Sequence, residues 1–347
     1  MENLEENFLL TGGYSENGGG ISSYKWDKKT KSILLCSIDN DCENPSYLAM
    51  HPSGKFIYAV NEIDSAAKIS AHYFNESTGD ISKINECSAK GAGMCHLFVN
   101  SKGTVVYGGN YNSGSLVAFQ INNNGSLGKL LSNIEHKGSS IHERQKGSHV
   151  HQVIFDKKEN YLICVDFGTD IIYTYKVNDD GSILENTCIE NPTPKGEGPR
   201  HLVFSPSGKE AYAISELGNK ILRFAYNEKG GFKLLNEISI VSEDRIKDDV
   251  TGGEIMISPK TGIIYASVRG IDEIVAVEVS KVGTMNIVGR FSSFGKSPRM
   301  FSFSKNGEYL FVSNQLSNSV VAVKMNGIIG EKISKIIVPD VSFSVLV

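Results

Sequence analysis

Arginine, histidine and carboxylate side chains recur in short, similar settings along this 347-residue chain. The settings are His149-Val-His151, Val165-Asp166, Pro199-Arg200-His201, Ser215-Glu216, Gly253-Glu254, Val268-Arg269 and Pro298-Arg299. Guanidinium groups offer planar, paired donors to phosphate or carboxylate. Imidazole and carboxylate groups can take and return protons near neutral pH. Gathered in one place, such a set would suit a small anionic ligand. His149-Val-His151 could also ligate a metal, but no third ligand stands at a fixed spacing, so no metal is expected. The motifs of serine hydrolases, zinc peptidases, P-loop enzymes and dinucleotide-binding folds are absent, and no cofactor is called for. The glycine-rich stretch from Gly12 to Gly20 lies between two apolar runs, which makes it a long turn rather than a phosphate cradle.

Six copies of a repeat would position these residues. Each is an apolar strand, a turn around Gly, Asn or Lys, and a second strand. The first strands and turns begin at Tyr47, His96, His151, His201, Glu254 and Met300, and run on as in His201-Leu-Val-Phe-Ser-Pro-Ser-Gly208. The second strands include Phe56-Ile-Tyr-Ala-Val60, Val105-Val-Tyr-Gly-Gly109 and Ile263-Ile-Tyr-Ala-Ser267. A period of roughly 46 to 56 residues belongs to propeller blades rather than helical solenoids. A seventh copy is split. Val338-Pro-Asp-Val-Ser-Phe-Ser344 resembles the start of a blade, and Asn7 to Gly13 with Gly20 to Trp26 resembles the remainder. The expected fold is therefore all-β: one domain over residues 1–347, a seven-bladed β-propeller whose ring closes by the C-terminal strand joining the N-terminal blade. Closure removes the unpaired sheet edges an open array would leave.

In a propeller the start of each first strand and the end of each second strand lie at the same face of the disc. Strand starts contribute Pro45/Tyr47, Cys95/His96, Ser148/His149/His151, Arg200/His201, Glu254 and Arg299. Strand ends contribute Tyr14, Glu62, Tyr111, Asp166, Glu216, Arg269 and Gln315. The opposite turns carry only small and charged tip residues. Arg200 and Arg299 could instead brace neighbouring blades. His149 and His151, two apart, can share a face. His201, next to Arg200, is expected to point away from the channel as a hydrogen-bonded core histidine. The polar stretch 138–151, in the longest interval between repeats, could be a surface loop or a lid carrying Arg144 and Gln145 over the mouth.

Composition narrows the function. A net charge of −4 and lysines dispersed through turns argue against a nucleic-acid partner. No segment is long and apolar enough for a membrane span, and the acidic first seven residues do not resemble a signal peptide. Six cysteines are scattered singly, which suits buried thiols in a reducing compartment. A cytoplasmic protein is expected.

Several short motifs occur in order: Arg144-Gln145, His149-Val-His-Gln-Val153, Val165-Asp-Phe-Gly-Thr-Asp170, Gly198-Pro-Arg-His-Leu202, Ser215-Glu-Leu217, Ser267-Val-Arg-Gly270, Ser297-Pro-Arg-Met-Phe301 and Ser313-Asn-Gln315. Together they resemble the seven-bladed propeller lactonase family, over essentially the whole chain. That family includes bacterial 6-phosphogluconolactonases and a fungal enzyme that cyclises carboxy-muconate. Phe167 and Val268 stand where the family more often has Leu and Asn, leaving the charged set intact. The resemblance implies catalytic roles for His149 (His151 being the second choice), Arg200, Glu216 and Arg269. Arg144, Gln145, His151, Asp166, Arg299 and Gln315 would then contact substrate. It implies hydrolysis of a small anionic sugar lactone, 6-phosphogluconolactone first, in the pentose phosphate route of carbohydrate metabolism. His149 or Glu216 would be the general base, and Arg200 and Arg269 would serve the oxyanion and the substrate anion. A lactonising cycloisomerase or another sugar lactonase is the alternative on the same scaffold. A non-catalytic interaction platform is the alternative of a different class.

Overall fold

The computed structural model describes residues 7–16 and 18–347. Residues 1–6, which supply most of the acidic N-terminus, lie outside the described residues, as does Asn17 in the glycine-rich turn. The described chain forms seven four-stranded antiparallel sheets, and two 3-10 turns, Glu243–Arg245 and Gln315–Ser317, interrupt the connections. In the first blade the strand Val341–Leu346 lies innermost and pairs with Phe8–Gly13, with Leu9 opposite Leu346 and Leu10 opposite Val345. Ile21–Asp27 and Ser32–Asp39 complete that blade. The ring closes as the split repeat predicts.

Burial explains the sequence pattern of each blade. The second strand is covered on both faces by neighbouring blades, so Val105–Asn110 is buried at every position. The outermost strand lies on the circumference and alternates, as in Ile183–Pro192. Tyrosines of second strands tie one blade to the next. Tyr58 and Tyr107 are fully buried, and their hydroxyls donate to Gly125 O (2.9 Å) and Gly181 O (2.8 Å) at the next blade's outer hairpin.

One irregularity matters for function. Near the start of the innermost strand, six blades break register against the second strand, leaving Ser342, Cys95, His151, Arg200, Gly253/Glu254 and Arg299 out of simple alternation. Such β-bulges re-aim side chains. Here they turn a ring of residues toward the channel.

Candidate active site

Glu216 is the hub. It follows the strand Glu210–Ser215, and its backbone is fixed twice: Glu216 N donates to Gly198 O (2.9 Å), and Glu216 O accepts from Gly252 N of the next blade (3.0 Å). Its buried carboxylate meets three guanidinium groups. Arg144 Nη2 lies 2.6 Å from Oε1, while Arg269 Nη2 (3.0 Å) and Arg200 Nε (3.3 Å) face Oε2. Burial opposes the charged form, but the charges of Arg269, Arg200 and Arg144 outweigh it and hold the pKa down at about 2. Glu216 is thus ionised and a poor proton acceptor.

The two deeper arginines are held by backbone. Arg200 Nη1 donates to Gly253 O (2.9 Å) and Arg269 Nη2 to Gly252 O (2.7 Å). Burial, with the nearby Arg269 and Arg299 charges, lowers Arg200 to about 10. Arg200 Nε, Arg269 Nε and His151 Nδ1 are buried without a hydrogen-bond partner. Of these, Arg200 Nε still faces Glu216 Oε2 at 3.3 Å, so the ion pair stands in for a hydrogen bond there.

His149 and His151 diverge. His149 is half-buried at the mouth, stacked on Tyr111 with ring centroids 4.4 Å apart. Its Nδ1–H donates to Tyr111 O (2.7 Å). A carbonyl only accepts, so the neutral ring carries its lone pair on Nε2. His151, the bulged residue, is buried edge-on to Tyr111, with Nε2 4.0 Å from Glu216 Oε2. Burial and the Arg200 charge push its pKa well below the ordinary value.

The remaining expected residues divide into two groups. Arg144, on the loop after the third blade, reaches Glu216 while its guanidinium sits 4.9 Å over the Phe167 ring, so the inserted stretch delivers a cation into the mouth. Arg299 Nη2 donates to Tyr14 OH (3.0 Å), and Tyr14 OH donates to Glu62 (2.9 Å), which also accepts from Ser46. Gln315 is half-buried in the 3-10 turn at the rim. Gln145 and Asp166, by contrast, are fully buried and committed to backbone. Gln145 Nε2 donates to Phe167 O (2.7 Å) and its Oε1 accepts from His142 N (3.2 Å). Asp166 accepts from His149 N (2.9 Å), Gly168 N (2.9 Å) and Thr169 N (3.1 Å), as well as Ser148 Oγ and His136 Nδ1. These two position the loop and His149 rather than face the mouth. Gly168 belongs to the same device, since a Cβ there would overlap the Gly147 carbonyl.

His201 departs from the alternation argument. Its Nδ1–H donates to the Glu254 carboxylate (2.9 Å), and its ring lies against His151 (5.1 Å) and His96 (5.5 Å). His96 belongs to the third blade and His201 to the fifth, so their contact crosses the channel. The bulge at Arg200 breaks the two-residue period, and both neighbours reach the channel wall. Strand alternation hides this; an irregular Pro-Arg-His start at the same place in the repeat was the available signal. Burial raises Glu254 to about 7 against the opposing pull of Arg200.

Residues 8–342 match the family described as Lactonase, 7-bladed beta-propeller. The chain belongs to the seven-bladed β-propeller lactonase family. Among its relatives, the 6-phosphogluconolactonase of Bacillus subtilis is 30% identical over 313 residues, covering 89% of this chain and 88% of the relative. The 6-phosphogluconolactonase of Formosa agariphila is 30% identical over 326 residues, covering 90% and 91%. A solved structure, the periplasmic gluconolactonase of Pseudomonas aeruginosa, superposes with a TM-score of 0.90 at 26% identity, covering 97% of this chain and 98% of that one. These lactonase relatives include a periplasmic member, and in the present chain no described helix is long and apolar enough to cross a membrane.

Proposed function

We propose that this chain hydrolyses a sugar lactone at the channel mouth, with 6-phosphogluconolactone the preferred substrate. The observation that carries the reading is the convergence of three guanidinium groups, Arg144, Arg200 and Arg269, on the Glu216 carboxylate. His149 Nε2 takes a proton from water as the water oxygen bonds to the lactone carbonyl carbon. The carbonyl electron pair moves onto oxygen, where the Arg200 and Arg269 donors stabilise it. Collapse restores the carbonyl and breaks the ring C–O bond, and the departing oxygen takes the proton back from His149. Glu216 keeps the guanidinium groups charged and oriented; at a pKa of about 2 it is too weak a base for the first step. His151 and Gln315 contact the sugar hydroxyls, Arg144 and Arg299 take the phosphate, and Asp166 and Gln145 hold the frame. Base catalysis supplies about 10²–10⁴-fold and an oxyanion donor about 10²–10³-fold. A lactone is already an activated ester, so no covalent nucleophile is needed.

The test compares kcat/KM for freshly generated 6-phosphogluconolactone and for unphosphorylated gluconolactone. The reading expects a preference of tenfold or more for the phosphorylated lactone. Equal values would remove the phosphate assignment, and no acceleration of either would overturn the hydrolase reading.

A further inference from the structure

The outer strand of the first blade differs from its six counterparts. Ser32-Ile-Leu-Leu-Cys-Ser-Ile-Asp39 carries no lysine, arginine or glutamate, and its one acid, Asp39, is buried against His72 (2.8 Å). The other outer strands all carry charge within their length: Lys83 and Glu86, Lys129, Glu185 and Glu190, Lys233 and Glu237, Arg290, and Glu331 with Lys332 and Lys335. Charged edges are how sheet proteins avoid pairing with other chains. The first blade instead exposes Leu34 (62%), Leu35 (54%) and Ile38 (48%), next to Ile337 (67%) of the seventh blade. Leu35, Ile38, Tyr24, Ile33, Ile336 and Ile337 line part of a groove of about 340 Å³ between the two blades.

The strand's flanks say what covers it. Exposed Lys28, Lys29 and Lys31 precede it, and exposed Asp41 and Glu43 follow it. Asp27, at the basic end, is occupied by the turn N–H groups of Lys29 and Thr30. Lys68 and Lys83, beside the acidic end, are each paired with Glu86 at 2.6 Å, and Lys83 Nζ also donates to the Asp41 backbone carbonyl (2.7 Å) rather than to its carboxylate. Eight strand residues span about 27 Å at ~3.4 Å each, well beyond the Debye length of about 8 Å at physiological salt. Each end therefore responds only to what lies directly opposite. A basic–apolar–acidic order is self-complementary when two copies run antiparallel, because each lysine end then faces an acidic end. Parallel docking would oppose like charges. We infer that this edge of the first blade is a two-fold contact with a second copy of the same chain, an isologous interface of the commonest oligomeric kind. The strand is bulged at Cys36, which lies between Leu35 (opposite Tyr24) and Ser37 (opposite Ser23). The contact is accordingly one of side chains about a two-fold axis near Cys36, not a continuous eight-stranded sheet.

Sedimentation of the full chain tests this. Wild type is expected as two chains, and Leu35→Lys as one, with the lactonase rate per chain unchanged. The triple variant Lys28→Glu/Lys29→Glu/Lys31→Glu and the double variant Asp41→Lys/Glu43→Lys should each shift toward single chains, and their equimolar mixture should return to pairs. A short bismaleimide should join two chains through exposed Cys36 in a Cys188→Ser background. Wild type sedimenting as a single chain in low salt would overturn the inference. So would a dimer that survives both charge variants and Leu35→Lys, or the absence of a Cys36 cross-link in a dimer.

Discussion

Replacing Glu216 with glutamine should cost stability in a pH-dependent way that the site's charges fix in advance. The carboxylate titrates at about 2 rather than its ordinary 4.5. The difference is worth about 3 kcal/mol in favour of the folded state at neutral pH, at 1.36 kcal/mol per unit. A carboxyl with a depressed folded pKa stabilises fully above its unfolded value, near 4.5, and the benefit is lost as pH falls through about 2. At pH 3 rather less than half of it remains by the same relation. Unfolding entropy of about 2.1 cal/mol/K per residue over 347 residues converts these figures to a deficit in Tm of roughly 4 °C at pH 7, shrinking to roughly 2 °C at pH 3. Differential scanning calorimetry of wild type and Glu216→Gln across that range reads both. Equal stability at pH 7, or a deficit that does not shrink on acidification, would refute the picture of one carboxylate holding three guanidinium groups.

Three further outcomes follow from the same geometry. His149→Ala should lower kcat on the preferred lactone by about 10²-fold or more with little change in KM, measured by steady-state hydrolysis. A loss in KM alone would make His149 a binding residue. Asp166→Asn should lower Tm by several degrees and reduce activity too, because the carboxylate accepts from the His149, Gly168 and Thr169 N–H groups and charged hydrogen bonds of this kind are worth about 1.5–3 kcal/mol each; calorimetry with parallel rate measurements checks both. Glu254, with its folded pKa raised from 4.5 to about 7, should make wild type lose about 3 kcal/mol as pH rises between those values. Glu254→Gln should lack that slope in Tm.

Much of this was legible from the repeats. The period and the split copy predict seven blades and the closing strand, and blade register collects His149, Arg200, Glu216 and Arg269 at one mouth. The shared face proposed for His149 and His151 is less simple, because His149 precedes the strand and His151 is its bulged residue. The bulges themselves are invisible to a two-residue period, which is why His201 is expected to turn away yet lies beside Arg200. Asp166 shows another limit. An acid at a strand end looks like a mouth ligand, but the following Phe-Gly-Thr turn presents N–H groups that consume it. The destination of Arg144 depends on how a loop folds back, which periodicity does not describe.

The most direct measurement is hydrolysis of freshly generated 6-phosphogluconolactone, followed against the spontaneous background, by wild type and Arg269→Ala. Arg269 Nη2 bonds both Glu216 and the Gly252 carbonyl, and the proposed role of this guanidinium is to stabilise the oxyanion. Wild-type turnover should lie far above background and fall tenfold or more in the variant. Wild-type rates at background, or an Arg269→Ala enzyme as fast as wild type, would contradict this expectation.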